Sequence, residues 1–468
     1  MKKRSSRVLS ILLAVCLTAA IAIPVLADGN STLAEIFRGV TVYVDGTKVE
    51  PKNAEGGPAD PFIVDNSTYL PARAISDALG AEISWDEATY NVYIDTLKAD
   101  PKAAEYLTEY FKVEPMTGTV SAETYTAALA AVFGEDAVAM TGTTVADAVK
   151  ATVENCGLKE LPALYTAEKA AASTAGVKGV TEENAATVAT ALDAALASGT
   201  WNYAAELDGD TATQLLMNAV NIAGKGRNYL GNTTDTDIAA KMRAAFGAFY
   251  DFHELNDDAI ANLWKLGEAI VDRKATTGFG LCSSDYDARF LNKYTLQYSH
   301  DSINNAVQLV ALMASEGINA KVALEPKVSI YQWDGHLNAG MEYNLRFEFD
   351  SAEAKNAFYA LSAPYTTRVD NERTGNIVNS YWTPCYNSYS ETTGFAHVYD
   401  NSVTCGKYSI HPFSLPENVE NVTAVINEVA DEFNANAAEG ADLITTEVKD
   451  LWCDQGFNQY LIDLAKGE

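Results

Sequence analysis

The sequence predicts a multidomain α+β protein: a small α+β module at residues 28–96, an all-helical region at 97–250 and an α+β domain at 251–468. Three patterns predict this. Tyr298 to Pro326 reads as helix, turn and strand. Ala306, Leu309, Val310 and Met313 recur at the spacing of one helix face, Gly317 stops the helix, and Ile318, Ala320, Val322 and Leu324 alternate as in a half-buried strand. Residues 41–94 set short apolar runs between turn residues around one short helix, and 97–247 are rich in Ala, Thr, Glu and Val at helical spacing. With 468 residues, 48% of them hydrophobic, the chain can bury several cores.

In chain order, Val42-Tyr43-Val44 is a strand that ends at Asp45-Gly46. Pro61 to Val64 is a second strand, followed by the turn residues Asp65-Asn66-Ser67. Tyr69 to Gly80 is a helix with Ile75, Ala78 and Leu79 on its apolar face, and Ala81–Asp86 with Asn91–Ile94 is a hairpin. Ser121 caps a helix whose face is Ala127, Ala128, Ala131 and Val132, another spans Val145 to Cys156, and a third starts at Thr181. Further helices are expected at Asp237–Phe252 and Asp257–Asp272. Met341 to Phe349 alternates as a strand, Ser351 caps a helix, and Phe395–Tyr399 and Tyr408–Ile410 are strands. The stretch from Asn418 to Lys466 reads as two amphipathic helices.

The formal charge is −30, and taking away the four basic residues of 1–27 leaves −34. Such a surface repels phosphate backbones and anionic headgroups, so nucleic acid is not an expected partner. Residues 1–27 read as an export signal: MKKRSSR precedes the apolar run Val8–Val25, and Val25-Leu26-Ala27 suits cleavage. The mature chain has no later stretch that would span a bilayer, and it is expected to be secreted, extracellular or wall-associated. Asp208-Gly209-Asp210 and Asp235-Thr236-Asp237 hold paired acids, but neither continues into a full calcium loop. Of the later cysteines, Cys156, Cys282, Cys385, Cys405 and Cys453, none forms a CxxC pair. Cys385 and Cys405 could bridge two strands in an oxidising exterior, or all five could be free and buried.

The segment PFIVDNSTYLPARAISDALGA followed by SWD and NVYI resembles the copper amine oxidase-like N-terminal domain, a module common on exported proteins of Gram-positive bacteria. That resemblance implies a stalk or binding role, with Arg73 as a polar contact for a wall polymer. It does not extend to oxidase chemistry. Asn202-Tyr203 runs into Ala204-Ala205, Asn228-Tyr229 runs into Leu230-Gly231, and the histidines form no His-x-His pair, so neither copper nor a quinone is expected. The helical region resembles surface-layer homology repeats, although Val120-Ser121-Ala122-Glu123 lacks the arginine of their signature.

Ala306 to Val322 resembles the helix-turn-strand of transglutaminase-like cysteine enzymes, with Ser302 at the nucleophile position, Gly335-His336 at the histidine element and Asp350 placed for the acid. An alcohol there is a poor substitute for a thiol, so the resemblance implies a non-catalytic relative, with Cys282 as the other candidate nucleophile. AVQLVALMASEG, KVALEPKVSIY, SYWTPCY and GKYSIHPFSLPE also resemble phrases of exported clostridial proteins. The expected function is therefore a secreted, cell-surface-associated, non-catalytic protein without cofactors, binding cell-wall polymer or an extracellular peptide or glycan. Its ligand face would hold Tyr331, Trp333, Tyr381, Trp382, Tyr386 and Tyr389, because aromatic rings stack on sugars at low entropic cost. The alternative is a transglutaminase-like hydrolase or crosslinking enzyme using Ser302, His336, Asp350 or Cys282.

Overall fold

The computed structural model describes residues 35–44, 47–53, 56–79, 81–86, 91–95, 97, 99–227, 229–247, 258–283, 289–333, 335–362, 365 and 385–466. The expected signal at 1–27 lies outside the described residues. Contacts divide the chain into two units, 1–226 and 227–468.

In the first unit, three antiparallel hairpins surround one helix. β1 (Val42–Val44) pairs with β2 (Thr47–Val49), β3 (Phe62–Val64) with β4 (Ser67–Tyr69), and β5 (Glu82–Asp86) with β6 (Asn91–Asp95); α1 (Ala72–Leu79) follows β4. Asp65 and Asn66 have φ of 48° and 60°, the left-handed pair that a two-residue hairpin turn requires. α1 buries Ala74 and Ser76, while Ile75 is half-buried and Ala78 and Leu79 are exposed. β2 and β5 are the strands that pack on α1.

Six helices follow: α2 (Ala103–Phe111), α3 (Ala122–Phe133), α4 (Val145–Asn155), α5 (Ala167–Ser173), α6 (Ala185–Asp193) and α7 (Gly209–Ile222). Four of these six starts carry a side-chain cap, and α2 and α6 do not. Ser121 accepts from the Thr124 N–H, and Thr144 with Asp147 forms a capping box. Asp208 accepts from the Asp210 and Thr211 N–H groups, so its carboxylate serves α7 as a cap. α3 buries Tyr125, Ala128, Leu129 and Val132, a stripe rotated from the expected alanines. Tyr125 goes inside because its hydroxyl finds Thr152 Oγ1 at 2.9 Å.

The second unit contains β7 (Gly231–Asn232), α8 (Ile238–Gly247), α9 (Asp258–Asp272), β8 (Gly278–Ser283), β9 (Thr295–His300), α10 (Ile303–Ser315), β10 (Ala320–Trp333) and β11 (His336–Phe349). It continues with α11 (Ala352–Ser362), β12 (Cys385–Ser388), β13 (Ala396–Cys405), β14 (Tyr408–His411), β15 (Phe413–Ser414), α12 (Val419–Ala435), β16 (Ile444–Cys453) and α13 (Gln455–Lys466). β7 and α8, expected in the helical region ending at 250, thus fall in this unit. The expected helix pair at Asn418–Lys466 is helix, strand, helix, because β16 finds a ladder partner in β13 along its whole length.

Eight of these strands close on themselves. The ring runs β8–β10–β11–β9–β12–β16–β13–β14 and back to β8, antiparallel throughout. Closure leaves no free edge in the ring, and an eight-stranded barrel is just wide enough for side chains to fill. Pro326 sits in β10 between the stretch paired to β7 and the stretch paired to β8, where no ladder donor is needed.

Helices cover the outer wall. Leu296, Tyr298, Val322, Leu324, Tyr343, Leu345, Phe347 and Tyr386 pack with Ala306, Leu309 and Met313 of α10, Phe358 of α11 and Met242 of α8. Phe279, Leu281, Val403 and Ile410 pack with Leu263 and Leu266 of α9 and Ile426 and Val429 of α12. Gly267 of α9 lies directly against the Phe279 ring, which a Cβ at that position would strike. Gly267→Ala should therefore lower the unfolding free energy of the second unit by about 1–3 kcal/mol, the usual cost of overpacking, in chemical denaturation. Gly199→Ala, with open space around it, should change nothing.

Candidate functional site

Strand alternation sends every second barrel residue inward, and on these strands that set is polar. From β10 and β11 it is Glu325, Lys327, Ser329, Glu342, Asn344 and Arg346; from β9 and β12, Gln297, Ser299 and Asn387. From β8, β14 and β13 come Cys282, Ser409, His411, Asp400 and Ser402. Glu325, Glu342, Asn344, Ser299, Asn387, Cys282 and Asp400 are all buried.

Buried charges persist only when paired. Arg346 reaches Glu325 at 3.0 Å, Lys327 reaches Glu342 at 3.1 Å, and Arg227 reaches Glu348 at 2.6 Å with Lys321 at 3.4 Å. Glu342 also accepts from Ser329 at 2.7 Å, and Asn344 accepts from Ser299 at 2.8 Å. Burial would lower the Lys327 ammonium, but Glu342 beside it outweighs that and holds it above its ordinary value. A small cavity of about 30 Å³, lined by Gly280, Cys282, Lys327, Arg346, Asn387 and His411 among others, remains between these groups.

One cluster in this interior has a catalytic geometry. Ser409 Oγ lies 2.8 Å from His411 Nε2, and His411 Nδ1 lies 3.0 Å from Asp400 Oδ2. With the ring proton on Nδ1, His411 donates to Asp400 and accepts from Ser409, the order in which an alcohol is activated by a base held by a carboxylate. Asp400 also accepts from Tyr389 at 2.7 Å and from Ser402 at 2.8 Å. Burial would raise the Asp400 carboxyl; the interaction with His411 and the bonds from Tyr389 and Ser402 outweigh it and hold it below its ordinary value. Burial and the Asp400 charge push the Tyr389 phenol well up, so it stays a donor.

The residues chosen from sequence are placed differently. Ser302 precedes α10, and its carbonyl accepts from the Tyr343 hydroxyl at 2.9 Å. His336 opens β11 at the exposed tip of the β10–β11 hairpin, and Asp350 follows the far end of β11. His336 and Asp350 lie fourteen positions apart, roughly 45 Å of extended chain, and Tyr343, whose hydroxyl meets the Ser302 carbonyl, lies midway between them. The Ser302–His336–Asp350 set is thus not assembled, because β10 and β11 form one long hairpin rather than returning to the head of α10. Cys282 lies inside the barrel, away from α10; burial first, and Glu325 second, push its thiol well up, so it is not a thiolate. Cys385 is on the inner face and Cys405 on the outer face against α9 and α12, and all five described cysteines are free.

Tyr386 is fully buried between Tyr298, Phe358 and Tyr359, so it is a wall residue and not a ligand contact. Tyr389 is committed to Asp400. Tyr331 is half-buried on β10 and Arg73 is exposed on α1. The Trp333 side chain, Tyr381 and Trp382 lie outside the described residues. Sequence reasoning missed Ser409, His411 and Asp400. The available signal was Ser-x-His on a strand, which alternation sends to one face, but nothing local pointed to Asp400.

Residues 27–94 match the family model described as copper amine oxidase N-terminal domain. No curated protein and no solved structure matches the chain. The described residues do not fit a copper–quinone centre. Tyr203 is fully buried with its hydroxyl on the Ser198 carbonyl, and no three His, Cys, Asp or Glu side chains among the described residues group as metal ligands. No helix among them is long and apolar enough to cross a membrane.

Two outcomes follow from the charge pairing. Lys327→Met should cost about 3–5 kcal/mol in urea denaturation, because Glu342 is left buried and charged, and Lys327→Met with Glu342→Leu should recover much of that. Asp400 has a depressed folded pKa, so its contribution is present above the ordinary value of 3.8 and is lost as pH falls through the lower folded value. The stability gap between wild type and Asp400→Asn, followed by thermal melting, should therefore be widest near neutral pH and close in acid.

Proposed function

We propose that this chain is an exported, cell-surface-associated protein that binds a wall polymer or an extracellular peptide or glycan through its first unit, without transglutaminase-like chemistry. The observation that carries this reading is the apolar face of the β5–β6 hairpin. The register pairs Trp85 with Val92 and Ile83 with Ile94, so all four side chains share one face. Trp85 is 52% exposed, Val92 49% and Ile94 56%. Tyr43, Tyr69 and Leu79 of the same module are also exposed. Large exposed apolar groups gathered on one small module are the mark of an interaction surface, and a tryptophan is the ring best suited to a sugar face. The exposed Arg73 supplies a cation for an anionic polymer. The separation of Ser302, His336 and Asp350 supports the absence of the transglutaminase-like reaction.

Co-sedimentation with purified cell walls tests the reading. Wild-type protein should pellet with the walls, and Trp85→Ser with Ile94→Ser should weaken binding about tenfold or more. Full-strength pelleting of the double variant, or no pelleting of the wild type, would overturn it.

A further inference from the structure

We propose that the barrel interior is a serine-nucleophile site for acyl transfer, with Ser409 as nucleophile, His411 as general base and Asp400 as the residue that positions His411, acting on small carboxylic esters of acetyl size. This goes beyond the binding reading, and its readout is independent of wall attachment.

Geometry comes first. Ser409 and His411 are two residues apart on β14, so both side chains enter the barrel from one strand. The distances of 2.8 Å from Ser409 Oγ to His411 Nε2 and 3.0 Å from His411 Nδ1 to Asp400 Oδ2 put nucleophile, base and acid in hydrogen-bonded sequence. Asp400 is ionised and held by two further donors, Tyr389 and Ser402, so its carboxylate has little freedom to rotate away from the ring. The His411 side chain is 20% exposed, so the base reaches solvent.

Next come the cation and the space. The ladder sets Ser409 opposite Cys282 and His411 opposite Gly280, and Lys327 opposite Cys282 on the far side of β8. Lys327 runs its methylene chain beside Gly280, where a Cβ would come within 3.1 Å of its Cε. The missing side chain at Gly280 leaves room for the lysine stem, and Lys327 and His411 line the same small cavity. The Lys327 ammonium, which also meets Glu342 at 3.1 Å, lines this cavity and would be the positive charge facing the oxyanion that forms when an ester carbonyl is attacked. The cavity of about 30 Å³, lined by His411 and Lys327, has room for one or two waters, so beside the base only an acyl group no larger than formyl or acetyl fits.

The reaction balances without any added group. Ser409 Oγ attacks the carbonyl carbon and its proton passes to His411 Nε2. The tetrahedral intermediate collapses, the ester C–O bond breaks, and His411 returns the proton to the departing alkoxide. A water then attacks the acetyl-serine with His411 again taking the proton; acetate leaves and the Ser409 hydroxyl is restored.

The test uses the full mature chain with methanesulfonyl fluoride, a small reagent that sulfonylates activated serines with loss of fluoride, and with p-nitrophenyl acetate. Intact mass and peptide mapping should find one adduct, on Ser409, absent in Ser409→Ala. His411→Gln should slow labelling about a hundredfold or more, with folding checked by circular dichroism. Asp400→Asn should slow labelling about tenfold or more with the fold intact, and Asp400→Glu, which keeps a carboxylate to hold the ring, should restore part of the rate; a merely structural role would not separate the two. The acetate ester should turn over, and the butyrate ester at under about a tenth of its rate. If His411→Gln does not fold, the wild type still decides the matter, since its adduct must fall on Ser409 and on no other serine. No adduct on Ser409 in the folded wild type, or an adduct that forms equally fast without His411, overturns the proposal.

Discussion

The second unit depends on charge neutralisation inside a closed sheet. An eight-stranded antiparallel barrel has an interior the size of its own side chains, and here those side chains are ionic. Desolvating a carboxylate or an ammonium costs several kcal/mol, so the barrel is tenable only because its acids sit against bases. Glu325 meets Arg346, Glu342 meets Lys327, Glu348 meets Arg227 and Lys321, and Asp400 meets His411. These pairs also set register, since slipping one strand by a residue would exchange every charged side chain with an apolar one.

The reversed arrangement explains the helices. Because the inner face is mostly polar, the apolar faces of β8, β9, β10, β11 and β14 point outward and are covered. α8, α10 and α11 cover one part of the wall, and α9 and α12 another. α13 differs: its Phe457, Leu461 and Ile462 pack with Val398 and Leu451, which share the inner face of β13 and β16 with Asp400. The same reversal concentrates hydrogen-bonding side chains in one dry place, where a serine, a histidine and an aspartate meet. In the first unit the constraint is different. Its hairpins are three to five residues long and bury little, and large apolar side chains remain at the surface.

Much of the local structure was legible in the residues. α10, the positive φ of 70° at Gly317, the alternation of β10, the capping by Ser121, the turn at Asp65-Asn66 and the hairpin at β5–β6 all follow from nearest-neighbour chemistry; Tyr69, expected to open the helix, instead ends β4, where the ladder to β3 holds it. β16 was not legible. Five of its residues, Thr445, Thr446, Glu447, Val448 and Asp450, are exposed, so its pattern carries little apolar period; the ladder to β13 makes it a strand. Tyr386 was also misassigned, since an aromatic beside a polar loop reads as exposed until Tyr298 and Phe358 are seen around it.

The sequence by itself determined many of the elements, the two-sidedness of the strands it showed, the excess of acid and the match to the copper amine oxidase N-terminal domain at 27–94. Alternation records that a strand has one polar face and one apolar face, and these are short-range facts. Only the tertiary structure decided which face is inside. A polar face turned to water and a polar face turned to a barrel interior have the same sequence period, and closure of the ring separates them. The same closure brings Asp400 to His411 and Ser409 while leaving Ser302, His336 and Asp350 apart, because strand pairing and not chain spacing fixes which side chains meet.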